Sequence, residues 1–264
     1  MWLDEDKPIL KRDLVLNQPL VNASGILGFV PNLRAQPAIS RLGAFITNPI
    51  SRRPRQPAAN RAYLPFPGGF LFHTGHPNPG ITRAIARFGR RWAGAPLPVI
   101  VHLLAESPGT LSEMIHKLEG LENILAVELG LPPACDPDML SAVMAAGAGE
   151  LPLIPCLSPE QVPTLLDTLN DLQPIALHLV EPRGALPGPG GEIITGRLYG
   201  PAIFPVMLAA AQVLINAGLR VIANGGVYDP WQVDALMKVG VTAVGLGSVL
   251  WQVDPTAIFP DLQP

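Results

Sequence analysis

The sequence predicts an α/β fold, a (β/α)8 barrel that forms a single domain over residues 1–264. Its length of 264 residues is close to the ~250 residues typical of such barrels. Short apolar segments alternate with longer segments of helical spacing, and the number of apolar segments is close to eight. No internal repeat or shift in composition marks a second domain, and the 31 prolines are spread along the chain as in rigid turns.

The apolar segments are predicted to be strands covered on both faces, as in a parallel sheet. They occupy residues 14–21, 44–47, 97–104, 124–129, 151–157, 175–180, 221–223 and 241–246. Helices are predicted over residues 37–42, 110–118, 137–146, 158–169, 201–217 and 229–240. Capping residues support three of these helix starts: Thr110 with Glu113, Ser158, and Asp229 before a proline.

The composition argues against several classes of function. A net charge of -3, with no more than two adjacent Lys or Arg residues, is unlike a nucleic-acid-binding surface. No apolar stretch approaches the ~18 residues of a membrane span, and the acidic amino terminus is unlike a signal peptide, so we expect a cytoplasmic protein. The 15% of charged residues leaves apolar surface for a homo-oligomer interface. Cys135 and Cys156 are too few and too isolated to indicate a metal site or a disulfide framework.

Two glycine turns near the carboxyl end indicate a phosphate site. Gly225-Gly226 follows one buried strand and Gly247-Ser248 follows the next, so both turns lie at the same end of the sheet. Glycine lets backbone amides approach an anion without an intervening Cβ, and the hydroxyl of Ser248 adds a donor. Because the last two βα loops commonly bind phosphate in a barrel, we expect a phosphate-bearing ligand here.

Six segments carry a resemblance that covers nearly the whole chain. They are NASG (22–25), GAFIT (43–47), GHPNPG (75–80), GPAIFPVMLAA (200–210), VIANGG (221–226) and AVGLGSVL (243–250). Their order and spacing resemble those of dihydroorotate dehydrogenases, enzymes of pyrimidine metabolism. The resemblance implies a (β/α)8 barrel with FMN across the carboxyl ends of the strands, and a small-molecule substrate. The cofactor-binding positions that it implies are Ala23, Ser24, Gly25, Thr47 and Asn48 near the flavin ring, and Gly200, Gly225, Gly226, Gly247 and Ser248 around the phosphate.

The chain departs from this family where substrate is held and deprotonated. Asn48 and Cys156 stand where the family has lysines, and Phe72 stands where an asparagine holds the pyrimidine. In the segment ELGLPPAC, Gly130 and Cys135 replace two further asparagines, and Pro133 replaces the general base. Proline cannot accept a proton and glycine offers no side-chain amide, so we expect FMN binding to survive better than dihydroorotate turnover.

Other side chains are candidates for a different chemistry. His73, His76 and Cys135 are the catalytic candidates, although exposed histidines and a buried, inert cysteine are the alternatives. The arginines at positions 52, 53 and 55 either bind an anion or are solvated. Glu128 is a candidate base or an arginine partner, and His178 is interpreted as a core histidine with satisfied hydrogen bonds. Arg197, where the family has glycine, is a candidate for the missing positive charge.

Two classes of function remain open from the sequence. The first is an FMN-dependent oxidoreductase resembling dihydroorotate dehydrogenase, with an altered substrate or weak dihydroorotate activity. The second is a catalytically degenerate barrel that binds flavin or another phosphate ligand, or that acts as a scaffold. A barrel that binds phosphate without flavin shares the glycine turns but does not need NASG beside them.

Overall fold

A computed structural model describes residues 14–251, which form a nearly closed barrel of eight parallel strands. In chain order the strands are β1 (Leu20–Asn22), β2 (Phe45–Ile46), β3 (Ala62–Phe66), β4 (Gly69–His73), β5 (Val99–Leu104), β6 (Ile124–Gly130), β7 (Leu153–Leu157), β8 (Leu177–Leu179), β9 (Arg183–Pro187), β10 (Ile193–Tyr199), β11 (Val221–Asn224) and β12 (Ala243–Leu246). The barrel order is β1-β12-β11-β8-β7-β6-β5-β2, and a parallel bridge between Val21 and Ala44 joins its two ends. The predicted fold class is confirmed.

Six helices connect the barrel strands in the described range. They are α1 (Ile81–Ala93), α2 (Pro108–His116), α3 (Pro137–Ala146), α4 (Val162–Leu172), α5 (Phe204–Asn216) and α6 (Pro230–Val239). Asp229 caps α6 as predicted, and Ser158 forms a capping box with Gln161 ahead of α4. The prediction that Thr110 starts α2 is wrong, because the Ser107 hydroxyl accepts the Thr110 amide and the helix begins at Pro108. No helix of residues 14–251 is both long enough and apolar enough to cross a membrane.

An antiparallel sheet that was not predicted covers the carboxyl end of the barrel. Its order is β3-β4-β10-β9, built from one insertion after β2 and another after β8. Phe70 of β4 stacks on Tyr199 of β10 at 5.3 Å and on Trp251 at 6.3 Å between ring centroids. Since Trp251 follows β12, these aromatic contacts tie the inserted sheet to the end of the barrel.

The barrel interior is layered along the strands. An apolar layer contains Ile100, Ala126, Ile154 and Ala176, each fully buried. Side chains two residues apart on a strand point to the same face. The next inward residues toward the carboxyl ends are therefore His102, Glu128, Cys156 and His178, a buried polar layer directly above the apolar one.

Candidate functional site

A cavity of about 330 Å³ opens at the carboxyl ends of the strands, beneath the antiparallel sheet. Its lining includes Ser24, Gly25, Phe72, His73, His76, His102, Gly130, Pro133, Cys156, Glu181, Arg183, Arg197, Tyr199 and Asn224. The barrel strands supply its floor and the inserted sheet supplies its roof. It therefore lies at the end of the barrel where (β/α)8 enzymes place their active sites.

Glu128 lies at the centre of the buried polar layer, between two histidines. The Nδ1 atom of His102 is 2.5 Å from one carboxylate oxygen of Glu128, and the Nδ1 atom of His178 contacts the other. Burial by itself raises the pKa of the Glu128 carboxyl. The two histidines lower this pKa by more, through the charge that His178 carries when protonated and through the hydrogen bonds from both rings. The pKa consequently lies well below its usual range, and Glu128 is an anion.

Cys156 completes the floor of the cavity beside Glu128. Ligand atoms of His102, Glu128 and Cys156 lie within 4.8 Å of one another, the kind of set that can hold a metal ion. Two ligands of one tetrahedral zinc ion are about 3.4 Å apart, however, so the 2.5 Å contact between His102 and Glu128 is that of a hydrogen bond. Burial, and then the Glu128 carboxylate, raises the pKa of the Cys156 thiol, which is therefore a neutral group.

A second polar group lines the opposite wall. Asn224 donates to the Glu181 carboxylate at 2.8 Å, and the Arg197 guanidinium donates to the Glu181 carbonyl at 2.6 Å. Arg197 and Arg183 are direct cross-strand neighbours on β10 and β9, and both line the cavity. Burial and the charge of Arg197 lower the pKa of Arg183. Two like charges paired in this way destabilise a sheet unless an anion compensates them.

The first of the two predicted phosphate turns has left-handed backbone. Gly225 and Gly226 have φ of 101° and 77°, and a Cβ on Gly226 would lie 2.5 Å from the Phe204 amide nitrogen at the start of α5. Ser248 is buried, and its hydroxyl lies 2.6 Å from the Tyr228 hydroxyl. Gly226 therefore packs against the start of α5, where the Phe204 amide donates to the Pro201 carbonyl.

The residues expected near a flavin ring are divided between the cavity and the loops behind it. Ser24 and Gly25 line the cavity, while Ala23 and Thr47 are fully buried. Asn48 is engaged in loop packing, because its side-chain oxygen accepts the Gly28 amide at 3.0 Å.

Gly200 is explained by packing, because a Cβ there would lie 2.4 Å from the Gly68 carbonyl oxygen in the β3–β4 turn. Its part in phosphate binding stays a prediction, as do those of the other cofactor-binding positions.

The predicted catalytic residues differ in their access to the cavity. His73 and His76 line it. Burial, followed by the charges of His102 and three arginines, lowers the pKa of His76 to about 3, although water at its exposed ring weakens these effects. Cys135 lies outside the lining, and burial and Asp136 raise the pKa of its thiol to about 11. A thiol of this kind supplies little thiolate at neutral pH, which argues against a catalytic role.

Several other expectations have clear outcomes. Arg52 pairs with Glu113 at 2.7 Å, and Arg55 pairs with Glu106 at 2.9 Å on the rim of the cavity. Glu128 pairs with histidines rather than with an arginine. His178 is buried as expected, but its Nε2 atom has no hydrogen-bond partner, so the expectation of a fully satisfied histidine is wrong.

Sequence reasoning did not identify His102, Glu181 or Arg183 as site residues. The available signal was positional, because His102, Glu128, Cys156 and His178 each follow an apolar inward residue by two positions on a predicted strand.

No protein-family model matches the chain. It is 27% identical over 270 residues to a dihydroorotate dehydrogenase B (NAD(+)), catalytic subunit, of Trichlorobacter lovleyi, with 92% of this chain and 87% of the relative covered. A protein of the same name from Pelobacter propionicus is 27% identical, with coverages of 89% and 84%. Another, from Geotalea daltonii, is 28% identical, with coverages of 92% and 86%.

Proposed function

We propose that the chain, which is 27–28% identical to dihydroorotate dehydrogenase B catalytic subunits over most of its length, is an FMN-dependent oxidoreductase of that type, acting on a small anionic molecule other than dihydroorotate. The observation that carries this proposal is the cavity at the carboxyl mouth of the barrel. The first glycine turn begins immediately after Asn224 in its wall, and Arg183 and Arg197 also line it. FMN would supply a hydride acceptor in this space.

The residues present fit FMN at its phosphate end. The left-handed turn at Gly226 and the bare backbone of Gly247 leave no Cβ between the amides and a phosphate. Ser248 offers a hydroxyl at the same place. These contacts come mainly from backbone, so the substitutions elsewhere in the cavity leave them intact.

Arg197 supplies the positive charge that Asn48 and Cys156 lack. Its charge acts on the Cys156 thiol, the position where the resemblance places a lysine. A cation at that place stabilises the negative charge that a reduced flavin carries near N1 and O2. With Arg183 beside it, the same group attracts an acidic substrate.

The residues around the substrate space do not fit dihydroorotate. Phe72, Gly130 and Pro133 all line the cavity, and none carries an amide or a base. A site without those amides cannot select a cyclic imide by hydrogen bonding. This absence supports an altered substrate within the family's type of reaction.

A barrel that binds flavin without turnover is the second candidate. It is favoured by Pro133, which replaces the expected base, and by Glu181, whose carboxylate oxygen would lie 3.1 Å from a Cβ on Gly247. A negative charge near the phosphate turns weakens the binding of an anionic cofactor.

The purified protein tests this proposal directly. We expect a yellow protein that binds added FMN with a change in flavin fluorescence. We also expect Arg197→Gln to shift the equilibrium of flavin reduction, measured against a redox dye, by about tenfold toward the oxidised form. Arg220→Gln, which changes an exposed arginine ahead of β11 at the opposite end of the barrel, is the matched control.

Failure to bind FMN would overturn the proposal. FMN binding with an unchanged reduction equilibrium in Arg197→Gln would favour the non-catalytic barrel instead.

A further inference from the structure

Glu128 fixes which nitrogen of each neighbouring imidazole carries a proton. Both carboxylate oxygens contact an Nδ1 atom, one of His102 and one of His178. An ionised carboxylate only accepts hydrogen bonds, so each imidazole must donate from Nδ1. In a neutral imidazole the other nitrogen, Nε2, then carries a lone pair. This is the arrangement by which a carboxylate orients a histidine base.

The Nε2 atom of His102 occupies space that only a glycine leaves free. A Cβ on Gly130 would lie 2.4 Å from this nitrogen. Both residues line the cavity. A side chain at position 130 is therefore incompatible with the present position of the His102 ring.

The two histidines have different access to the cavity. His102 is 7% exposed and contributes to the lining, whereas His178 is fully buried. The Nε2 atom of His178 would lie 3.1 Å from a Cβ on Gly245, inside the barrel wall. His178 therefore holds the second oxygen of Glu128 in place, and only His102 can meet a ligand.

From this geometry we infer that His102 is the proton-accepting catalytic residue of the cavity, and that Glu128 and His178 are its positioning residues. The inference rests on the proposed function, which supplies the oxidant. His102 Nε2 forms a bond to a proton taken from a C–H group of the substrate. The electron pair of the broken C–H bond would form a double bond to the neighbouring carbon, and that carbon would give its hydride to the FMN that the proposed function supplies. The substrate loses one proton and one hydride, and the electrons balance.

The first experiment measures the protonation pattern without any turnover. Protein labelled with ¹⁵N-histidine is studied by correlating the ring nitrogens with the ring carbon-bound protons, and His102→Gln assigns the signal. We expect His102 and His178 to carry a proton on Nδ1. Glu128→Gln should move the proton of one imidazole to Nε2, because a glutamine amide accepts from one neighbour and donates to the other.

The exposed pair of His116 and Glu119 provides a matched control. Its Nδ1–oxygen distance is 3.1 Å, but the His116 side chain is 88% exposed. Glu119→Gln should leave the His102 signal unchanged. A His102 ring with an unprotonated Nδ1, or with protons on both nitrogens at neutral pH, would overturn the inference.

The second experiment measures proton abstraction with a probe that needs no oxidant. In 5-nitrobenzisoxazole a base removes the C3 proton, the N–O bond breaks and a coloured cyanophenolate forms. We expect the protein as purified to accelerate this elimination, and His102→Gln to lower the rate by about 10²-fold. Glu128→Asp, which keeps the carboxylate but shortens its reach, should retain more activity than Glu128→Gln. Amide NMR spectra of each variant establish that it is folded.

The two experiments separate this inference from the proposed function. Elimination that depends on His102 in a protein that never binds FMN would contradict the proposed oxidoreductase but not the histidine base. A yellow, reducible protein whose elimination rate is unaffected by His102→Gln would contradict the base alone. Stoichiometric zinc in the purified protein, lost in both His102→Gln and Cys156→Ser, would also overturn the inference, because His102 would then be a metal ligand.

Discussion

The two ends of the cavity differ in how they are built. One end leads past Asn224 to the turns Gly225-Gly226 and Gly247-Ser248, which follow β11 and β12. At the other end, His102, Glu128 and Cys156 present side chains from three neighbouring strands. The first end has the glycines that the resemblance places around a phosphate, and the second lacks most of the side chains that it places around the substrate. We therefore expect ligand contacts made by backbone to be retained at the first end, and ligand contacts made by side chains to differ at the second.

The difference has a physical cause. Gly226 cannot acquire a side chain without displacing the start of α5, so its position is fixed by packing as well as by any ligand. The polar layer contains groups that hydrogen-bond one another, such as Glu128 and the Nδ1 atoms of its two histidines. A buried network of this kind changes as a unit, because removing one member leaves the others unpaired.

The largest expected effect concerns dihydroorotate. It tests whether the end of the cavity that contains His102, Glu128 and Cys156 has lost the family's substrate contacts. We expect dihydroorotate to reduce the bound flavin at least ~10³-fold more slowly than it reduces the Trichlorobacter lovleyi relative. Each lost hydrogen bond to a charged ligand group costs ~1.5–3 kcal/mol, and Phe72 and Gly130 remove at least two such bonds. Anaerobic stopped-flow mixing that follows flavin absorbance measures both proteins.

Rapid bleaching of the flavin would contradict the expectation that the two ends of the cavity differ in how far they resemble the family. If millimolar dihydroorotate bleached the flavin within seconds, the replaced side chains would have to reproduce the family's substrate contacts. Dihydroorotate would then be the substrate of this chain as well.

A second prediction tests the end of the cavity that leads to the Gly225-Gly226 turn. Gly226→Ala should weaken FMN binding by at least ~10²-fold, because its Cβ would collide with the Phe204 backbone at the turn itself. Gly218→Ala is the matched control, since Gly218 has a similar φ of 81° but nothing within 4 Å of its Cβ position. Fluorescence titration gives both affinities, and thermal melts give both stabilities. Equal FMN affinity in the two variants would show that the flavin does not use this turn.

The sequence predicted the features whose signals are local. Runs such as Val99–Leu104 and caps such as Asp229 lie within a few residues of what they determine. The β3–β4 hairpin was missed because Pro65 interrupts its short alternating pattern. The polar layer was missed for a different reason, since Glu128 meets partners 26 and 50 residues away. Each of these residues follows an apolar inward residue by two positions, but only the strand register brings them together.

The smallest expected effect concerns Glu181, which lies between the two ends of the cavity. Burial raises the pKa of its carboxyl, and Arg197 and the donated hydrogen bonds only partly offset this. The native state therefore holds the Glu181 proton more tightly than the unfolded state. The resulting stabilisation is fully present below the unfolded pKa of ~4.5 and is lost as the pH rises through the raised value. Glu181→Gln, which stays neutral at every pH, should thus raise the melting temperature more at pH 8 than at pH 4.

A gain of about 1 kcal/mol at pH 8 would raise the melting temperature by roughly 2–4 °C in a chain of this size. Glu122→Gln, which changes an exposed carboxylate, should produce no such pH-dependent difference. Glutamine keeps the oxygen that accepts from Asn224, so the comparison isolates the charge. A melting temperature that falls at pH 8 would mean that the anion of Glu181 stabilises the fold through Arg197, and that the two ends of the cavity are joined by an ion pair.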